Sequence, residues 1–413
     1  MSDSSTLRAP QTAPAPGGHS GGTAGLPQLA LLLAASCLSV LGAVLIAPVL
    51  PRMTDEFADV PGVDVLVPIV LTVPSLIIGL TAPFAGFIAD AVDRKRLLLV
   101  ALVAYAVVGP APLYLDTLPM IIGSRVALGL CEAAIMTSCT TLIGDYWSGA
   151  RRSKYLALQT LVAALSATVF LALGGALGSS GWRTPFWVYV VALLLVLPIA
   201  KLIWQPTRPR TAQRQGRKLE AVPRRLLLAP CLVTLMAGVV FYALIVQLSF
   251  VLTDVGVEST AVIGGISALM SLATALGSVA FARLSHRTPR DLLPVEFSLA
   301  AIGLVIVFAT TAVPVITIGA IITGFGTGML LPTLLTWAVN RLDFEQRGRG
   351  TGLWTGTLFI GQFISPLLIA GIAAGTGGLQ PALGALGIAS LAMAGLAVLA
   401  TRRDSIPLNV TND

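Results

Sequence analysis

Arg125 and Glu132 are the residues with the most chemistry to offer, because both stand inside an apolar run, Arg125-Val-Ala-Leu-Gly129-Leu-Cys-Glu132-Ala-Ala, of membrane-spanning character. An ionised group at the centre of a bilayer costs roughly 2.5–3.5 kcal/mol on insertion scales, so such residues face a bundle interior or a water-filled path. Seven positions are about two helical turns, which puts both side chains on one face roughly 10 Å apart. At an effective dielectric near 20 the pair attracts by about 1.7 kcal/mol. The gap has room for a substrate, a proton or a chain of water. Burial and a neighbouring cation pull a carboxyl's protonation in opposite directions, which makes Glu132 the proton-binding candidate and Arg125 the group that tunes it or holds an anion. His19 and His286 fall in the amino-terminal tail and a loop, and Glu296 is placed near a helix end, so Glu132 is the one carboxylate expected within the helix cores.

The elements that position these residues follow from composition. The 413 residues are 55% hydrophobic and 11% charged, against about 25% charged in soluble domains. Apolar runs of about twenty residues recur, each long enough for a hydrocarbon core about 30 Å thick. The expectation is an all-α membrane protein of twelve spans. The net charge of +7 reflects Lys and Arg concentrated in alternate loops, the positive-inside pattern; a nucleic-acid partner is not expected, and the bilayer is the partner. That pattern places both termini in the cytoplasm, and a cell (inner) membrane location is expected. Cys37, Cys131, Cys139 and Cys231 all lie in apolar runs without metal or pairing spacing, and no cofactor is expected.

Taken in order, residues 1–26 read as a disordered cytoplasmic tail, rich in Ser, Pro, Gly, Ala and Thr. Residues 27–203 hold six spans, 204–226 form a basic cytoplasmic linker, 227–401 hold six more, and 402–413 are a cytoplasmic tail. The spans are expected near 27–50, 65–89, 97–114, 119–143, 155–178, 185–203, 227–252, 261–282, 292–311, 314–338, 351–373 and 380–401. A shift of 195 positions lays Gly129 on Gly324, Asp145 on Asn340 and Arg152 on Arg347, but Arg125 on Ala320 and Glu132 on Thr327. The second half therefore repeats the scaffold and is expected to lack the charges. Duplicated halves with a midplane site between them are a recurring transporter plan. Tyr242, Gln247, Trp354 and Gln362 are polar or amphipathic residues within spans and are candidates for lining a cavity. Gly324-Phe-Gly326-Thr-Gly328 lies in an apolar run with no preceding strand, so it reads as close helix packing rather than a nucleotide loop. No Walker-type Gly-Lys-Ser/Thr sequence occurs.

Several motifs resemble the major facilitator superfamily, and the likeness extends over nearly the whole chain. Gly86-Phe-Ile-Ala-Asp90-Ala-Val-Asp93-Arg94-Lys95 is similar to its loop 2–3 signature, Arg125 and Gly129 to its fourth-helix signature, and Asp145 with Arg152 to the loop element that follows. Gly361-Gln362-Phe-Ile-Ser365-Pro366-Leu is also common there. The resemblance implies twelve helices in two pseudo-symmetric six-helix bundles and alternating access. It also implies a small-molecule organic substrate, no enzymatic activity and a monomeric carrier, with Asp90, Arg94, Asp145 and Arg152 as a gate latch. Ala91 and Asp93 depart from the loop signature, where a basic residue and Gly are usual; Asp93 is expected to tolerate a left-handed turn. In the antiporter signature of helix five, Phe170-Leu171 replaces Gly-Pro while Gly174-Gly175 remains. The chain resembles drug:proton antiporters most, through Ala47-Pro-Val-Leu-Pro51 and residues 361–367, and locally resembles spinster-like and organic-anion carriers. The resulting expectation is proton-coupled export of a lipophilic or amphipathic compound. The alternatives are proton symport of an organic anion or sugar, and lysolipid carriage.

Overall fold

The computed structural model describes residues 24–85, 87, 92–205, 224–342, 346–402, 404 and 407–409. Most of the amino-terminal tail, Asp90 and most of the basic linker lie outside the described residues. Among the described residues, twelve helices are long and apolar enough to cross a bilayer. They are α1 (Leu26–Glu56), α2 (Val63–Phe84), α3 (Arg94–Leu113), α4 (Leu118–Tyr146), α5 (Gly149–Gly178), α6 (Thr184–Leu202), α7 (Leu226–Asp254), α8 (Thr260–Leu284), α9 (Pro289–Phe308), α10 (Val313–Val339), α11 (Arg347–Thr376) and α12 (Leu379–Ala400). Several helices run past the apolar windows: α3 begins at Arg94 rather than near 97, and α5 at Gly149 rather than near 155. Helical hydrogen bonding continues into polar sequence wherever a cap or a neighbour satisfies the end.

Prolines shape the ends of the first three spans. Pro48, Pro83 and Pro112 each sit in a short 3₁₀ turn, at Ala47–Val49, Ala82–Phe84 and Ala111–Leu113. A proline removes one i→i−4 donor, and the tighter turn takes up the mismatch. At the start of α3, Asp93 adopts an extended conformation (φ −62°, ψ 111°) and accepts the Arg96 N–H at 2.9 Å. The expected left-handed turn is therefore not formed, and Asp93 stands there as an N-cap, the role a short carboxylate fills best.

In the first half α4 is packed by α1, α2 and α3; in the second half α10 is packed by α8 and α9, with α12 behind α9. Across the halves, α2 packs on α11 and α5 on α8, and α7 reaches the proline turn of α1. Gly129 and Gly324, paired by the 195-residue shift, do the same work in each half. A side chain on Gly129 would come within 2.8 Å of the Pro74 Cα, and one on Gly324 would run into the Met270 carbonyl. In hydrocarbon, helices associate by such close backbone approach.

The second half differs from expectation in two places. Glu296 lies seven residues into α9 and is fully buried, so that half holds an intramembrane carboxyl of its own. The chain after α12 is docked rather than trailing: Asp404 meets Arg341 at 2.5 Å and accepts the Trp337 indole N–H at 2.9 Å, while the Leu408 and Asn409 N–H groups bond to the Arg287 and Ser285 carbonyls.

Gly129→Val and Gly324→Val are expected to lower stability by about 1–3 kcal/mol through overpacking, read as an earlier thermal transition of the purified protein. Gly123→Val, where nothing stands within 4 Å of the added carbon, should leave the transition in place.

Candidate functional site

Arg125 is held by a defect in the neighbouring helix. Pro112 cannot donate to the Val108 carbonyl, and the 3₁₀ turn draws the Leu113 N–H to Pro110, leaving the Gly109 carbonyl free as well. Arg125 Nη2 donates to the Gly109 carbonyl at 2.6 Å, with the Val108 carbonyl 3.4 Å away. The guanidinium carbon lies 5.2 Å from the ring centres of both Phe186 and Tyr189 on α6. Desolvated cation–π contacts of this kind are worth about 2 kcal/mol. Gly109 leaves room for Tyr189, whose ring and Cβ occupy the space a Cβ on residue 109 would need. A charged residue with 1% exposure is thereby supported on one side.

Glu132, two turns further along α4, is fully buried, and among the described residues neither carboxyl oxygen has a hydrogen-bond partner. A Cβ on Gly42 of α1 would fall onto Glu132 Oε1, so the carboxyl rests in a berth that only glycine leaves open. Ser39 Oγ donates to the Glu132 backbone carbonyl at 3.3 Å, tying α1 to α4 beside it. One residue past Gly42, the Ala43 carbonyl accepts the Tyr242 hydroxyl at 2.6 Å. A phenol of the second half thus bonds to α1 one residue past the berth. The Tyr189 hydroxyl is also buried, beside the Arg125 guanidinium, while Tyr105 donates to the Leu38 carbonyl at 2.7 Å. Among the described residues both Glu132 carboxyl oxygens are left without hydrogen-bond partners in a water-poor interior, where each orphaned polar group costs about 1–3 kcal/mol. Protons, water or a polar substrate group would satisfy them.

The remaining candidates fall in three places. Tyr242 joins the Glu132 berth. Gln362 accepts the Ser75 hydroxyl at 3.3 Å, joining α11 to α2 across the two halves. Trp354 is buried with its indole N–H unpartnered, and Gln247 is buried on α7; neither is brought to the Arg125–Glu132 group by a hydrogen bond. Gly42, Phe186, Tyr189 and Ser75 are members that sequence reasoning missed. The signal for the aromatic pair was the proline at 112, which exposes two carbonyls for Arg125 to reach.

At the end of the bundle carrying the basic loops, Arg94 and Asp145 form a buried ion pair, joining the start of α3 to the end of α4. Gln205 accepts the Arg94 and Lys95 N–H groups at 3.0 and 3.3 Å, and the Tyr146 hydroxyl bonds to the backbone of Trp204. The first residues of the linker are therefore part of this end. Arg152 is exposed and its guanidinium packs over Gly144, beside Asp145.

Among the described residues, twelve helices able to span a bilayer, with a buried acid and base inside the first six, are the plan of a polytopic membrane protein. The family model of the major facilitator superfamily matches residues 32–290 and 230–412, and the chain belongs to that superfamily, whose members are transporters rather than enzymes. It is 26% identical over 347 residues to the multidrug efflux protein YfmO of Bacillus subtilis (strain 168), covering 82% of this chain and 85% of the relative. It is 26% identical over 346 residues to the 3-(3-hydroxy-phenyl)propionate transporter of Escherichia coli (strain K12), covering 78% and 81%. Among solved structures it resembles a bacterial homolog of the human lysosomal transporter Spinster in an inward-facing conformation, with a TM-score of 0.75 and 17% identity over 91% of this chain and 96% of that one.

Gly42→Ala is expected to cost about 1–3 kcal/mol of stability by displacing the Glu132 carboxyl. Combining it with Glu132→Ala should recover much of that loss, a coupling of about 0.5–3 kcal/mol in a double-mutant cycle of thermal stability.

Proposed function

We propose that the protein is a proton-coupled secondary transporter that exports a lipophilic or amphipathic organic compound by alternating access. The observation that carries this reading is the Glu132 carboxyl, buried with both oxygens unpartnered, two turns from an anchored Arg125 and against the contact between the halves. A proton arriving there cancels a charge, and a proton leaving restores it. Such a change shifts a two-state equilibrium only if the two states differ in how they stabilise the charge. Arg125 supplies that difference, because its guanidinium stands two turns from the carboxyl on the same helix and the separation between them can change as α1 and α7 move.

Bundles 27–203 and 227–401 are the moving bodies, with α2–α11 and α5–α8 as the sliding contacts. Arg94 at the start of α3 and Asp145 at the end of α4, with Asp90 before α3 in sequence and Arg152 in the first turn of α5, hold one gate state at the cytoplasmic end. Both termini lie in the cytoplasm and the chain resides in the cell (inner) membrane, as the basic loops require. Kinship with a multidrug efflux protein over most of the chain supports export.

The second reading is uptake of an organic anion with a proton. The buried Arg125 guanidinium favours it, as does similarity to a transporter named for a phenylpropionate. Substrate charge separates the two readings. A carried anion must lose binding in Arg125→Ala, whereas a neutral or cationic compound should keep it.

The deciding experiment measures proton flux from vesicles containing the purified protein, across an organic-compound panel under an imposed pH gradient. The wild type is expected to exchange protons on substrate addition, with the sign distinguishing export from uptake. Glu132→Gln should abolish that signal while substrate binding persists. Equal proton signals from both proteins would remove Glu132 from the mechanism.

A further inference from the structure

Glu296 has no part in the mechanism above, yet it is fully buried in α9. Its Oε1 lies 2.6 Å from Thr333 Oγ1 of α10, and among the described residues its Oε2 has no hydrogen-bond partner and no cation forms an ion pair with it. Among the described residues, α10 faces it with Thr333 and presses Gly326 against the Glu296 carbonyl, where a side chain on Gly326 would come within 2.9 Å. From α12 comes Ser390, whose hydroxyl is spent on the Phe297 carbonyl at 3.0 Å. On α9 itself the charged neighbours in sequence are Arg290, which is exposed, and Asp291, which is bonded to Thr288. Arg341, eight residues beyond Thr333, is paired with Asp404 at 2.5 Å.

The hydrogen-bond count assigns a proton. A threonine hydroxyl has one hydrogen to give and can accept others. Thr333 Oγ1 lies 3.0 Å from the Met329 carbonyl as well as 2.6 Å from Glu296. Both contacts are hydrogen bonds at once only if Glu296 is the donor to Thr333 and Thr333 the donor to Met329. The other arrangement leaves a bare carboxylate with a single donor and no counter-charge, a burial that costs several kcal/mol.

The location gives this proton a consequence. Pro332 precedes Thr333 inside α10 and withholds its donor from the Gly328 carbonyl. That carbonyl is met instead by the Ser278 hydroxyl of α8 at 2.8 Å. The stretch of α10 around Pro332 is thus held from two sides, by Ser278 of α8 and by the Glu296–Thr333 contact of α9.

We propose that Glu296 is a second proton-binding site, set in the second half, whose proton completes a chain from Glu296 through the Thr333 hydroxyl to the Met329 carbonyl and fastens the Pro332 stretch of α10 to α9. On release the Oε1–H bond breaks, the proton passes to water, and Thr333 must turn its hydrogen to the new carboxylate. The anion then needs further donors, which only water entering between α9 and α10 supplies. Proton release at Glu296 and separation of these helices are one event.

The test uses the full-length protein in lipid nanodiscs and follows the infrared carbonyl stretch of protonated carboxylic acids as pH is raised. It is run in the Glu132→Gln background, so that failure of the Glu132 assignment does not affect it. One band is expected to disappear with rising pH, to be absent from Glu296→Gln, and to shift in frequency in Thr333→Val. Hydrogen exchange of residues 329–339, corrected for its intrinsic pH dependence, should accelerate as the band disappears and stay constant in Glu296→Gln, whose amide donates in place of the acid. Spectra unchanged by Glu296→Gln would overturn the proposal. If that variant fails to fold, a band that does not shift in Thr333→Val would overturn it equally.

Discussion

The rest of the structure is arranged around a guanidinium and a carboxyl placed where water cannot reach them freely. Arg125 is satisfied by what the fold already had to give up: carbonyls released by Pro112 and the faces of two aromatic rings. Glu132 receives no such support, and its oxygens face the glycine of another helix. The asymmetry is physically sensible. A fixed cation keeps the interior polarised, while an unsatisfied carboxyl remains ready to change its protonation or its partner. Were Glu132 also locked in a close ion pair, taking that pair apart would cost several kcal/mol, and the site would respond to little.

The two halves show how one scaffold accommodates different chemistry. Gly129 and Gly324 bring α4 onto α2 and α10 onto α8 by the same close approach. The loop latch, however, is not repeated. Arg94 and Asp145 pair in the first half, but Pro289 and Asn340 hold the corresponding places in the second. There the segment after α12 takes over: Asp404 binds Arg341 and Trp337, and Asn340 donates to the Leu408 carbonyl at 3.0 Å. In the first half Trp204 and Gln205, just after α6, play the comparable part. Each bundle is closed at its basic-loop end by the residues that follow its sixth helix. The short stretches next to linker and tail are thus structural as well as connective.

Sequence by itself determined the class and the number of spans, and it marked Arg125 and Glu132 as charges standing in an apolar run. The reason is that the bilayer acts on each segment separately. Twenty apolar residues must span, a charge among them must have a purpose, and neither inference needs to know which helix lies beside which. The glycine run of α10 was legible for the same reason, since small residues in hydrocarbon have few other uses. What stayed hidden depended on partners distant in sequence. Gly42 looks like any membrane glycine until α1 is laid against α4, and Tyr189 and Phe186 become supports for Arg125 only when α6 crosses the end of α3. Asp93 was misread because a turn and a cap use similar residues and differ only in backbone angle. Glu296 was discounted because distance along the chain from a helix end is a poor guide to burial when α10 and α12 cover that end. A side chain's energy in hydrocarbon is set by the donors and charges within a few ångströms of it, and tertiary packing alone decides those.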